Sequence, residues 1–285
     1  MPRRGLTELL DAAREGRYGL LAFNVIPLEY AEAVVAAAEA AQAPVVLQLS
    51  EHTIAYHGGR IEPLGRACLA LADGSAVPVA VHLDHATTLE RCVEAADVGL
   101  ASVMFDASDR PDDENLAETT RVVAWAHARG VAVEAEIGIV GGKDGRHEVA
   151  ALTEPEPAAA FVATTGVDAL AVQVGTSHAM TDRTASLDLD RIARLHAAVP
   201  VPLVLHGSSG VPDEQLAAAV AAGLTKINVG TRLNVAFTDA VRRRLTDDPG
   251  LVDPRPTIAS GRSAVEDAAA ALLLAVGAGG RAADA

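Results

Sequence analysis

Short apolar runs alternate along the whole chain with longer segments whose apolar positions recur at helical spacing. The runs are "LLAFNV" (20–25), "PVVLQLS" (44–50), "VPVAVHLD" (77–84), "SVMFD" (102–106), "VAVEAEIG" (131–138), "ALAVQVG" (169–175), "PLVLHG" (202–207) and "KINVG" (226–230). Their length and near-continuous apolar character predict strands buried on both faces, as in a parallel sheet covered by helices. Between them lie "PLEYAEAVVAAAEAAQA", "DENLAETTRVVAWAHARG" and "DEQLAAAVAAG". Several such segments stop at Gly or shortly before Pro, as helices do. Eight strand–helix units in this length predict a single-domain α/β chain, a (β/α)₈ barrel over residues 1–285, with one additional helix at the C-terminus. No Pro/Gly/Ser-rich linker divides the chain. The Gly/Ala-rich end, 278–285, is expected to fray.

Polar residues gather at the C-terminal end of each run. Asn24, Ser50, Asp84 with His85, Asp106, Glu136, His178, His206 and Asn228 all fall at or just past a strand end. In a (β/α)₈ barrel these ends share one face, so residues scattered in sequence converge in space. The longest irregular stretch, "IVGGKDGRHEVAAL" after the fifth strand, reads as an active-site loop over that face.

Composition bears on partners and compartment. Half the residues are hydrophobic but only 3% are aromatic, so Ala, Val and Leu must fill the core. A formal net charge of −15 excludes a surface built for nucleic acid or an anionic membrane. It leaves room for a locally positive pocket that takes a small phosphorylated metabolite. Cys68 and Cys92 match no metal or redox spacing and read as reduced core thiols. The N-terminal stretch lacks the apolar core of a signal peptide, and no run reaches transmembrane length. The expected compartment is the cytoplasm.

Of nine histidines, His85, His178 and His206 each follow a strand, His85 beside Asp84 and His206 beside Gly207. Three imidazoles at one barrel mouth can form a His₃ site for a divalent ion; the alternative is a hydrogen-bonded network without metal. Strand alternation turns His82 away from His85 and makes it a support from behind. Asp84 directly precedes His85, which disfavours binding the same ion; it is a general acid/base or, more simply, a strand-end cap. Asp106 and Glu136 could hold a second cation or orient the histidines. Glu134, of the same parity as Glu136, would face the interior, where an unpaired carboxylate is costly. "GSSG" before Pro212 and "GTR" after the eighth strand place free helix-start amides at units seven and eight, the common phosphate position of such barrels. Either loop alone could be a plain helix cap. A metal, an acid/base and a phosphate cradle together point to chemistry on a phosphorylated carbonyl compound.

Six motifs in order, "VHLDH", "SVMFDAS", "VEAEIGIVGG", "VQVGTSHAM", "LVLHGSSGVPDEQL" and "KINVGT", resemble the class II, metal-dependent ketose-bisphosphate aldolases. The likeness spans almost the whole chain. It implies reversible cleavage of fructose or tagatose 1,6-bisphosphate, or another phosphorylated ketose such as 5-dehydro-2-deoxyphosphogluconate, to dihydroxyacetone phosphate and an aldehyde. It implies a catalytic Zn²⁺ on His85, His178 and His206 that stabilises an enediolate, and a second divalent site at Asp106 and Glu136. Asp84 would handle the C4 hydroxyl proton and Asp144 the carbon-bound proton. Asn24, Ser50, Ala179, Gly207, Ser209, Asn228, Gly230 and Thr231 would contact substrate and its phosphate, aided by a monovalent cation (Na⁺ or K⁺). A homodimer or homotetramer is expected. No Schiff-base lysine is needed; Lys143 and Lys226 are the only lysines.

The chain departs from the family pattern at several points. "GGKDG" puts Asp144 where a glutamate base usually stands, with Glu148 as a substitute. Ala179 replaces a glycine, Gly230 replaces the acidic or amide residue of fructose-specific members, and "DASD" replaces "DGSH". "DPRPT" lacks the aromatic that usually follows the basic residue, which leaves Arg255 as a phosphate ligand in doubt. These departures leave the substrate open. A non-catalytic aldolase-like subunit and a metal-dependent sugar-phosphate isomerase or epimerase are the competing readings.

Overall fold

A computed structural model describes residues 3–138, 151–176, 180 and 182–285. Eight parallel strands close into a barrel in sequence order. They are β1 (Leu20–Asn24), β2 (Val45–Ser50), β3 (Val79–Ala86), β4 (Ser102–Phe105), β5 (Ala132–Glu136), β6 (Ala169–Ala171), β7 (Leu203–Leu205) and β8 (Leu224–Val229). Closure comes from β1 pairing with β8, Ala22 opposite Asn228. Each run read from the sequence is a strand, within a few residues at its ends.

The helices are α1 (Leu6–Gly16), α2 (Leu28–Ala41), α3 (Glu51–Tyr56), α4 (Glu62–Gly74), α5 (Leu89–Val98), α6 (Asp112–His127), α7 (Pro155–Thr165), α8 (Leu189–Ala198), α9 (Asp213–Ala221), α10 (Thr231–Asp247) and α11 (Pro254–Ala275). Local chemistry sets their limits. Thr88 caps α5 by accepting from Arg91 N, and Gly99 ends it at φ 110. Pro155 opens α7 and Gly166 closes it at φ 72. The short α3 starts on the Ser50 hydroxyl, which accepts from Thr53 N. α1 rests on β1, β3 and β8 and buries Leu6, Leu9, Leu10 and Ala13. α11, the additional helix, packs on α10 and α2.

Strand interiors are filled by Ala, Val and Leu, as a core poor in aromatics requires. Cys68 and Cys92 are free and buried, and burial pushes both thiols up to about 12. No helix among the described residues is long and apolar enough to cross a membrane. Two hydrogen bonds link residues 278–285 to the end of α2. Gly280 N donates to Ala41 O and Ala282 N to Gln42 O, both at 2.9 Å, so the tail occupies the carbonyls at the end of α2.

Candidate active site

β3 brings two neighbouring residues to the same place. Alternation along a strand should send Asp84 and His85 to opposite faces. The β3–β4 register shifts between Leu83 and Ala86, and His85 adopts φ 56, in the left-handed region. Arg17 and Gln42, the other described non-glycine residues at positive φ, are ordinary helix C-caps. His85 alone does this within a strand. The bulge turns its ring into the barrel mouth beside Asp84, so the two share a donor cluster with His206 that adjacency alone had argued against.

The imidazoles are held by carboxylates. His85 Nδ1 lies 2.7 Å from Asp106 Oδ2, while Asp106 Oδ1 accepts from Ser108 N at 3.1 Å and Ser108 Oγ at 2.6 Å. Asp106 therefore acts only as an acceptor here, which makes His85 Nδ1 the protonated nitrogen and leaves Nε2 with a lone pair. His206, fully buried just past β7, has Nε2 3.0 Å from Glu134 Oε1 and Nδ1 3.6 Å from Glu136 Oε2. The rings of His85 and His206 meet edge to face at 4.7 Å. Two donor sets result, Asp84 with His85 and His206, and His85 with Asp106 and Glu136. Within each set, ligand atoms lie within 4.8 Å of one another. Neutral imidazoles and carboxylates at that spacing suit a divalent ion of the zinc type.

Asp84 is 2% exposed and receives one amide on each oxygen, Asn24 Nδ2 at 3.4 Å and Asn228 Nδ2 at 3.3 Å. Gln48 Nε2 steadies Asn24 through its Oδ1 at 2.6 Å. Burial would push the Asp84 carboxyl up, but the charges of His85, His206 and Lys226 outweigh it and hold Asp84 below the usual carboxylate range. The carboxylate is thus kept ionised, and its amide donors come from the strands on either side of the barrel closure.

At units seven and eight, Gly207 takes φ 68 and starts a 3₁₀ turn, Ser208–Gly210. Ser208 Oγ donates to Asn228 O, and Ser209 Oγ accepts from Arg232 N at 3.1 Å, which joins the two loops. Asp213 extends the tie, binding Arg232 at 2.6 Å and Arg183 at 2.6 Å. Thr231 opens the 17-residue α10. A Cβ on Gly230 would meet nothing nearer than Asn24 at 3.5 Å, so glycine there leaves space rather than relieving a clash. Ser50 already serves α3, accepting from Thr53 N and donating to Thr53 Oγ1 at 3.2 Å.

Among the expected site residues, Asn24, Asp84, His85, Asp106, Glu136, His206 and Asn228 come together. Asp144, Glu148, His178 and Ala179 lie outside the described residues. Sequence reasoning set His82 behind the site and Glu134 in the interior, but missed Lys226 as the partner of Glu134. His82, Glu134 and Lys226 are fully buried, with Lys226 Nζ 2.7 Å from Glu134 Oε2. A lysine inside the apolar run "LTKINV" was the signal, since a buried ammonium requires a counter-ion. Burial would raise the Glu134 carboxyl, yet Lys226 and the hydrogen bond with His206 hold it well below its usual range. Burial, then Lys226, lowers His82 to about 3, so it is neutral and hydrogen-bonded to Ser102 Oγ at 3.0 Å.

An ionised carboxylate beside paired imidazoles at the C-terminal mouth of a parallel barrel defines a class, the (β/α)₈ enzymes equipped for metal-assisted acid/base chemistry. Comparison with known proteins narrows it. The family described as class-II fructose-bisphosphate aldolase matches residues 4–281, and the chain belongs to that family. A fructose-bisphosphate aldolase of Geobacillus stearothermophilus is 40% identical over 281 residues, covering 98% of both chains. A 6-phospho-5-dehydro-2-deoxy-D-gluconate aldolase of Shouchella clausii is also 40% identical, over 92% of this chain and 90% of that one. Among solved structures, the YdjI aldolase from Escherichia coli K12 superposes with a TM-score of 0.87 at 31% identity, covering 98% and 99% of the two chains.

Proposed function

We propose that the chain is a zinc-dependent aldehyde-lyase that reversibly splits a phosphorylated ketose into dihydroxyacetone phosphate and an aldehyde. The supporting observation is the ionised Asp84, gripped by Asn24 and Asn228, beside a donor cluster suited to a divalent ion. In this reading His85 through Nε2, His206 through Nδ1, and His178 hold the zinc, and Asp106 and Glu136 offer a second divalent position. When bound, zinc supplies Lewis acidity that polarises the substrate carbonyl and stabilises negative charge on its oxygens.

The chain's own groups handle the protons. Asp84 removes the C4 hydroxyl proton in cleavage and returns it to the aldehyde oxygen in condensation. Asp144 removes the carbon-bound proton in condensation, with Glu148 as the substitute. Asn24 orients the reacting oxygens. Ala179, Gly207, Ser209, Asn228, Gly230 and Thr231 grip the phosphate, with Na⁺ or K⁺ beside them. Ser50 joins only by giving up its bond to Thr53. A homodimer or homotetramer in the cytoplasm completes the proposal.

Fructose or tagatose 1,6-bisphosphate is the default substrate. The space left by Gly230 and the equally similar relative from Shouchella clausii favour 6-phospho-5-dehydro-2-deoxy-D-gluconate as the second reading. The test is release of dihydroxyacetone phosphate from a panel of ketose mono- and bisphosphates and that keto acid, before and after chelation and with zinc restored. Activity that survives chelation sinks the zinc reading. Substrate turnover without dihydroxyacetone phosphate favours an isomerase, and no turnover by zinc-loaded protein favours a non-catalytic subunit.

A further inference from the structure

Beneath the mouth, an ionic layer crosses the barrel interior where aliphatic side chains are the rule. Glu134 on β5 and Lys226 on β8 are both fully buried, and the pair reaches across β6 and β7. His82 Nε2 stands 3.8 Å from the same Glu134 oxygen that Lys226 binds. An apolar pair of similar volume is often as stable as a buried ion pair or more so, so stability alone is a weak reason for this one.

The other Glu134 oxygen supplies a reason. His206 Nε2 has two close neighbours, Glu134 Oε1 at 3.0 Å and Asn228 Nδ2 at 3.1 Å. The Asn228 amide nitrogen has two hydrogens, one directed at Asp84 Oδ1 at 3.3 Å and one available to Nε2, whereas the charged Glu134 oxygen can only accept. A bare Nε2 would accept from Asn228 but set its lone pair against the full negative charge of Glu134 at hydrogen-bond distance, the costlier of the two mismatches. Nε2 therefore carries the hydrogen, and Nδ1 has the lone pair. Nδ1 is also the nitrogen on the side of Glu136, a member of the second donor set.

We infer that Glu134 and Lys226 are positioning residues, which fix His206 as the Nε2–H tautomer and so aim its Nδ1 lone pair into the metal cluster. Glu134 supplies the acceptor. Lys226 occupies the opposite oxygen and anchors the carboxylate across the barrel, which is a different task from Schiff-base nucleophile. The inference rests on the metal reading of the site. Asp106 does the same at His85 from the other ring nitrogen, so the two imidazoles are presented through opposite nitrogens.

The test uses the Glu134→Leu/Lys226→Met double variant, which removes both charges and strands neither. On metal-stripped protein, ¹⁵N–¹H correlation of the histidine rings reports the His206 tautomer, assigned by difference from His206→Gln. Zinc affinity is measured by competition with a chromophoric chelator. Wild type should show a single Nε2–H tautomer. The double variant should fold, show a tautomer mixture and bind zinc about 10–100-fold more weakly. Wild-type tautomer and affinity in the double variant would overturn the inference, because a merely structural pair moves only the thermal midpoint. If the double variant does not fold, Glu134→Gln replaces it, and unchanged zinc affinity there overturns the inference as well. Wild type that binds no zinc would bring down the metal reading and the inference with it. Normal zinc binding in every protein would bring down the inference alone.

Discussion

His85 sits at φ 56 inside a strand, and substitution can isolate what that backbone angle costs. Replacing His85 by Gly or by Ala removes the same imidazole, its bond to Asp106 and its edge contact with His206. The two variants differ only in what the backbone tolerates. A Cβ in the left-handed region costs about 1–3 kcal/mol, which glycine avoids. Glycine in turn loses about 0.5–1 kcal/mol more conformational entropy on folding than alanine. The difference favours His85→Gly over His85→Ala by about 1 kcal/mol, or about 2–4 °C in midpoint for a chain of this size. Thermal unfolding of the two metal-stripped variants, followed by circular dichroism in one buffer, measures it. His85→Val should fall below both, since β-branching worsens the clash. If His85→Ala proves as stable as His85→Gly, the bulge does not strain the backbone, and the account of how Asp84 and His85 share one face fails.

Asp84→Asn should keep its zinc, measured by atomic emission, and lose cleavage by about 10²–10⁴-fold; near-normal cleavage would move the acid/base role elsewhere. Asp213, whose carboxyl is held low chiefly by its hydrogen bond with Arg232, tests the tie between the loops after β7 and β8. Because its folded pKa is depressed, the stability it adds is fully present above the unfolded value of about 3.9 and is lost as pH falls through the folded one. Wild type should thus exceed Asp213→Asn by up to about 1 kcal/mol in urea titrations at neutral pH, with the gap closing below about pH 4; a gap that widens on acidification would refute this. Gly175→Ala should destabilise by about 2–3 kcal/mol, since φ is 116 and the new Cβ would stand 2.5 Å from Ser186 O; an unchanged midpoint would mean that this loop moves freely.

Strand number, strand order and the polar mouth were legible because each rests on a local pattern. An apolar run of five or so residues ending in one polar side chain marks both a strand and its catalytic end. What the pattern misses depends on tertiary partners. Glu134 and Lys226 lie 92 positions apart, and nothing local to either names the other. Each does betray itself singly as an ion in an apolar run, and two such ions of opposite sign in one barrel could have been paired by parity with Glu136 and Asn228.

Alternation was the rule that failed at the site itself, and its failure has a chemical meaning. Strict alternation would allow either Asp84 or His85 at the mouth, never both. The register shift after Leu83 and the left-handed turn at His85 set a carboxylate and an imidazole side by side, joined by a single peptide bond. A carboxylate and an imidazole linked in this way share one backbone, so motion of β3 carries them together. Asn24 and Asn228 then fix Asp84 from β1 and β8, while Asp106 fixes His85 just past β4. The restraints on this one dipeptide come from both sides of β3, and the strained turn at His85 is what lets them act on the same face.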